Sequence, residues 1–276
     1  MAGYYVSQRK GRLATDVQIK ITATGATHIG LVRSTNQDSL LIDEDMQLYI
    51  VADGMGGHAG GEIASSLCVN SISQFLRQQN NLWSNSGERQ HPDARISNAM
   101  ANAINHASTK IYERALEEPS LRGMGTTATA VVVVDKFAYV AHVGDSRCYL
   151  LRRGFIYQVT NDHSLVSEQV RAGILTKEEA DLHHLRNVIT RSVGYQEEED
   201  VDTTSLALED GDLLLLCSDG LHGKVSDKEL SGILSSHETN SPDKLIASAN
   251  ERGGEDNITA VTLKISFNPP SPTPAT

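Results

Sequence analysis

Residues 48–61 read Leu48-Tyr-Ile-Val-Ala-Asp53-Gly54-Met-Gly-Gly-His58-Ala-Gly-Gly61. Five apolar residues run into an acid, glycines follow, and a helical pattern takes over. The apolar run predicts a buried strand. Past the glycines, Ala64, Leu67, Cys68, Ile72, Phe75 and Leu76 share one helical face. The same signature, an apolar strand ending in Asp and a turn residue, recurs in Tyr139-Val-Ala-His-Val-Gly144-Asp145-Ser146 and in Leu213-Leu-Leu-Leu-Cys-Ser-Asp219-Gly220. Asp256 stands just before the last apolar run and Asp38 just before an early one.

One Asp-Gly pair is an ordinary turn. Several acids at the ends of neighbouring strands would meet at one rim. Like charges that close raise one another's pKa unless a cation neutralises them. Hard oxygen ligands suit Mg²⁺ or Mn²⁺ and not zinc. The residues alone leave simple turns and a two-cation carboxylate site both open.

Outward from that stretch, strand-like runs occupy 19–24 and 39–42, then 128–134, 137–143, 147–151, 155–159, 213–217 and 258–265. The short connections after residue 128 predict antiparallel hairpins or a meander. Ile96, Met100, Ala103, Ile104, Ala107, Ile111 and Ala115 mark a second amphipathic helix, started by His91-Pro92-Asp93. Ser226-x-x-Glu229 and Ser241-Pro242-Asp243 open two more. Residues 163–200 carry short helical pieces, a Thr176-x-x-Glu179 capping box and an acidic run, Glu197 to Asp200; this reads as an inserted flap. Grouped strands with separate helix pairs point to α+β layers and not to a βαβ repeat.

The 276 residues allow one large domain with an ample core, here placed at 19–267. Residues 1–18 read as a flexible extension, and the Pro-rich 268–276 as a disordered tail. A net charge of −11 without a basic stripe argues against nucleic acid. No apolar run suits a membrane span, and the first residues lack a secretory pattern. Three widely spaced cysteines suit a reducing cytoplasm.

Other chemistries fail on spacing. A G-x-G-x-x-A dinucleotide fingerprint fits Gly54, Gly56 and Ala59. Asp53 would then face a pyrophosphate, and no acid-tipped second strand follows. A Cys-x5-Arg phosphate cradle would need arginine where Gln74, Gly154 and Gly223 stand. Arg33, five residues before Asp38, is either a surface arginine or a bidentate phosphate holder. His58 is either structural or placed to protonate a leaving alkoxide. His183-His184 reads as a solvated helix face.

Seven blocks in order over residues 24–265 resemble the metal-dependent protein phosphatases of the 2C type (PPM), in their bacterial Ser/Thr class. They are Arg33-Ser-Thr-Asn-Gln-Asp38, Val51 to Gly61, Gly125-Thr-Thr-Ala128, His142-Val-Gly-Asp145-Ser-Arg147, Asp162-His163-Ser164, Cys217-Ser-Asp219-Gly-Leu221 and Asp256-Asn257-Ile-Thr259. The resemblance implies a four-layer α-β-β-α sandwich with two central antiparallel sheets. It implies two Mg²⁺ or Mn²⁺ ions and possibly a third, with water attacking phosphorus and no phosphoenzyme. Carried over, Asp53 bridges both ions with the Gly54 carbonyl on one, Asp219 and Asp256 hold the other, and Asp38 supports through water. Asp145 with Asp219 matches a third site, and Arg33 the phosphate-binding arginine. Where eukaryotic members have the proposed acid histidine this chain has Met55, leaving His58 as the substitute. The implied partners are phosphorylated proteins, the targets of a Ser/Thr kinase, and the implied state is a cytoplasmic monomer. A non-catalytic module of the same fold and a nucleotide-binding oxidoreductase are the alternatives.

Overall fold

The computed structural model describes residues 18–79, 91–236 and 240–268. The extension and the tail therefore lie outside the described residues, except that Gln18 and Asn268 pair at the ends of two strands.

Eleven strands form two sheets among the described residues. The first contains β1 (Gln18–His28), β11 (Ile258–Asn268), β10 (Leu213–Cys217), β7 (Arg147–Arg152) and β8 (Phe155–Gln158), in that spatial order. The second runs β2 (Asp38–Asp43), β3 (Leu48–Met55), β5 (Ala128–Val134), β6 (Phe137–Val143) and β9 (Asp202–Ala207), with β4 (Gly125–Thr126) paired to β3. Every pairing between these strands is antiparallel. That removes the dinucleotide reading, which requires a parallel βαβ unit.

Outside the second sheet lie α1 (Gly57–Arg77) and α2 (Ala94–Glu117). The capped helices α6 (Asp227–Ser235) and α7 (Ser241–Glu251) cover the first. Between them in sequence come α3 (Leu165–Arg171), α4 (Lys177–Asp181) and the single turn α5 (Asp219–His222). The alternation of β5 explains the layering. Ala128, Ala130 and Val132 face the α1–α2 layer, whereas Val131 and Val133 meet Leu214, Leu216, Val261 and Leu263 between the sheets. Both faces of β5 are buried, so its sequence is continuously apolar despite its antiparallel neighbours.

Three expectations need correction. Helix α1 begins at Gly57, so His58 stands in a first helical turn and not in a loop. Asp219 opens the helix α5 where a plain turn was expected. Strand β9 was not foreseen, because an edge strand with half its residues exposed shows no apolar run. The hairpins β5–β6 and β7–β8 fall in different sheets, so no meander joins them. The second hairpin turns at Arg153-Gly154, both at positive φ (53° and 81°), as a tight two-residue turn demands.

Candidate active site

The acids sit at one end of the sandwich because antiparallel neighbours start and stop there together. Asp38 opens β2 and pairs in register with Asp53 near the end of β3. Asp219 follows β10, Asp256 precedes β11, and Cys217 pairs with Ala260 between them. Asp145 lies in the turn from β6 to β7, where the chain crosses between sheets.

Asp38 joins the two sheets. Its Oδ2 accepts bonds from Ser218 Oγ at 2.8 Å and Thr259 Oγ1 at 2.6 Å, both from the opposite sheet. Its Oδ1 and the Oδ1 of Asp219 are buried without a protein hydrogen-bond partner. Burial, then Asp219 and Asp256, push Asp38 up to about 7. Burial, then Asp38, Asp219, Asp145 and Asp256, hold Asp53 well above the usual carboxylate range. Burial and Asp256 raise Asp219. Burial, then Asp219 and Asp162, push Asp145 up to about 8. Asp53 and Asp145 keep partial solvent contact although protein atoms surround them.

This is a cluster with more negative charge than its surroundings neutralise. Orphaned buried oxygens and mutually raised carboxyls are what a hard divalent cation relieves, so the donor set fits Mg²⁺ or Mn²⁺. Among the described residues no three His, Cys, Asp or Glu side chains ring a common point as closed metal ligands would. The rim is open, so carbonyls and water would have to complete any coordination, as small hard cations accept.

Arg33 reaches the same rim. Its guanidinium lies 2.6 Å from Asp256 Oδ2 and is half exposed. Asn257 fixes the loop that carries it. Its Nδ2 donates to the carbonyls of Ile29 and Thr35, and its Oδ1 accepts from Gln37 N.

Residues 24–251 match the sequence pattern of the protein phosphatase 2C family. The chain belongs to that family. The serine/threonine phosphatase stp of Listeria innocua is 37% identical over 243 residues, covering 86% of this chain and 93% of its own. The crystal structure of the Mycobacterium tuberculosis serine/threonine phosphatase PstP/Ppp superposes with a TM-score of 0.79 at 34% identity, over 89% of this chain and 99% of that one. The catalytic domain of PstP in complex with two manganese ions gives 0.78 at 33% identity, over 90% and 100%. The α-β-β-α sandwich of two antiparallel sheets is the architecture these structures share with this 2C-family chain.

The site of this protein phosphatase 2C member contains polar residues that the sequence alone did not single out. Ser218 and Thr259 hold Asp38, and Ser218 Oγ also accepts from Thr259 N at 3.0 Å. Thr127 Oγ1 accepts from Asp53 N at 2.9 Å and shares a 2.7 Å bond with Ser146 Oγ. The available signal was adjacency, since each lies one to three residues from a site acid. Two deep imidazoles, His142 and His222, are pushed down to about 4 and about 3, burial being the main cause in each. The side chain of His58 lies outside the described residues. The three cysteines are buried, and burial pushes the thiols of Cys68 and Cys148 up to about 12. None suits a covalent phosphatase nucleophile, which must be a thiolate.

Proposed function

We propose that this chain is a metal-dependent protein serine/threonine phosphatase that hydrolyses phosphoserine and phosphothreonine directly with water. The carrying observation is the rim of Asp38, Asp53, Asp219 and Asp256, buried together with oxygens unsatisfied and no basic residue beyond Arg33 to neutralise it. Asp53 and the Gly54 carbonyl would hold one Mg²⁺ or Mn²⁺, Asp53 with Asp219 and Asp256 a second, and Asp145 with Asp219 a weaker third. Bound there, the ions supply positive charge for the phosphoryl oxygens and lower the pKa of water. Asp38, bonded by Ser218 and Thr259, orients the inner edge of this rim. Arg33 would leave Asp256 in part to grip the phosphate, a planar fork matching two phosphoryl oxygens. His58 would stand as acid to the leaving alkoxide, from the first turn of α1.

The substrates are phosphorylated proteins, and we assign as their source a Ser/Thr kinase in the same cytoplasm. The described chain has no helix long and apolar enough to cross a membrane. A monomer suffices for the chemistry, since every residue invoked comes from one chain.

Hydrolysis of p-nitrophenyl phosphate and of a phosphothreonine peptide, each with Mn²⁺, Mg²⁺ or EDTA, tests the proposal. Strong Mn²⁺ dependence, loss in EDTA, and near-complete loss in Asp53→Ala and Asp219→Ala are expected. Equal rates with and without chelator would reject it, and a folded wild type inactive on both substrates would favour the non-catalytic module.

A further inference from the structure

The turn Gly144-Asp145-Ser146 is gripped by two histidines from separate elements. We infer that His222, seconded by His163, is a positioning residue that fixes the separation of Asp145 from Asp219, and so sets whether those two carboxylates can share a divalent cation. The inference rests on the metal reading of the rim given above.

His222 closes α5, the helix that opens with Asp219. Its Nε2 lies 3.0 Å from the carbonyl oxygen of Asp145. A carbonyl only accepts, so Nε2 carries the proton and donates. One bond thus ties the backbone bearing Asp145 to the turn of helix bearing Asp219. The helix has its own anchors. Gly223 N donates to Asp219 O at 2.8 Å, and Gly220 packs so closely on Asn257 that a Cβ would come within 2.0 Å of its carbonyl oxygen.

His163 holds the neighbouring peptide. The N–H of Gly144 donates to His163 Nδ1 at 3.1 Å, so Nδ1 is the bare nitrogen. Its Nε2 then carries the proton, which faces Asp202 Oδ2 at 3.2 Å. Arg191 bonds the other oxygen of Asp202 at 2.9 Å. The backbone adds a second link, from His163 N to Gly144 O at 2.7 Å. Gly144 itself has a φ of +107°, and a Cβ there would stand 2.6 Å from Thr127 Cγ2. The turn therefore has one conformation available to it, and Thr129 Oγ1, donating to Ser146 O at 3.1 Å, holds its far end.

A pair of carboxylates shares an ion only at a fixed spacing, and groups that orient metal ligands typically change affinity by about 10- to 100-fold when removed. The test measures Mn²⁺ binding by titration calorimetry on the full chain, with melting temperature followed in parallel. His222→Gln keeps an N–H at the reach of Nε2, and His222→Met has similar length without a donor. The wild type and the Gln variant are expected to bind a weakest Mn²⁺ with equal affinity. The Met variant should lose about 10- to 100-fold at that ion while its tighter ions are unchanged. Should the Met variant fail to fold, His163→Asn and His163→Leu make the same comparison at Gly144, Asn keeping an acceptor near the place of Nδ1. Equal Mn²⁺ affinities across donor-bearing and donor-lacking variants would overturn the inference, whatever happens to the melting temperature. A wild type that takes up only two ions would also overturn it, and one that takes up none would sink the metal reading with it.

Discussion

Arg33 and Asp256 form a 2.6 Å pair whose members are 52% and 35% exposed, so solvent screens their attraction and breaking it costs little stability. The value of Arg33 lies in its donors facing the rim. Arg33→Ala should lower kcat/KM on a phosphopeptide by about 10- to 100-fold, the loss expected for a charge-assisted bond to phosphate. KM should carry much of the change, and the melting temperature should stay within a few degrees. Arg33→Lys should recover only part, since an ammonium lacks the planar fork. Steady-state kinetics with both variants checks this, and unchanged KM and kcat in the alanine variant would return Arg33 to the role of a surface residue. At this scale the acids were legible, because each stands where an apolar run stops. Their hydroxyl partners were not, because a serine or threonine beside an aspartate looks like any turn residue.

Strand β3 and helix α1 meet at a contact that only glycine permits. A Cβ on Gly54 would lie 2.0 Å from the Gly61 carbonyl oxygen and 2.6 Å from that of Gln37, both backbone atoms that cannot swing away. Gly54→Ala must therefore push α1 off the strand, or the strand off the loop before Asp38. A destabilisation of about 2 kcal/mol or more is expected, at the upper end of single-site effects. Activity at a permissive temperature should fall as well, because Asp53 moves with the strand end. Calorimetry and rates measured below the melting point check the two parts separately. A variant with wild-type stability and rate would show that the element junction yields more than its packing suggests. The glycines of 54–61 were thus read correctly as permitting close approach. Their helical half was missed because glycine is the poorest helix former after proline, and packing against Met124 and Leu121 overrides that propensity.

Across the whole molecule the acidic rim couples stability to pH. Unfolded, these carboxyls titrate near 3.8; folded and metal-free, Asp38 keeps its proton up to about 7 and Asp145 up to about 8. Between those limits the folded state binds more protons, so this stability is present in acid and is lost as pH rises through the folded values. His142 and His222, lowered from 6.5 to about 4 and about 3, act in the opposite sense, but only below their unfolded value. Above about pH 7 those imidazoles are neutral in both states, and the carboxyl effect stands alone. In EDTA the melting temperature should fall between about pH 7 and pH 8, and Mn²⁺ should remove the fall by replacing the protons. Calorimetric scans under the two conditions check it. A metal-free melting temperature that rises over that interval would mean the carboxylates are not packed as described.

What the sequence determined by itself was the set of elements and their chemistry. Continuous apolar runs forced buried strands, Ser226 with Glu229 and Thr176 with Glu179 capped their helices, and acids stood at the strand ends. These are local properties, fixed by neighbours a few residues apart. Tertiary structure alone decided which acids became neighbours. Asp38 meets Ser218 across 180 residues of chain and Thr259 across 221, and His222 meets Asp145 across 77. Such contacts depend on the register of two sheets and on how they stack. A one-residue slip in β2 would turn Asp38 to the other face, and nothing in the residues nearby records that it does not.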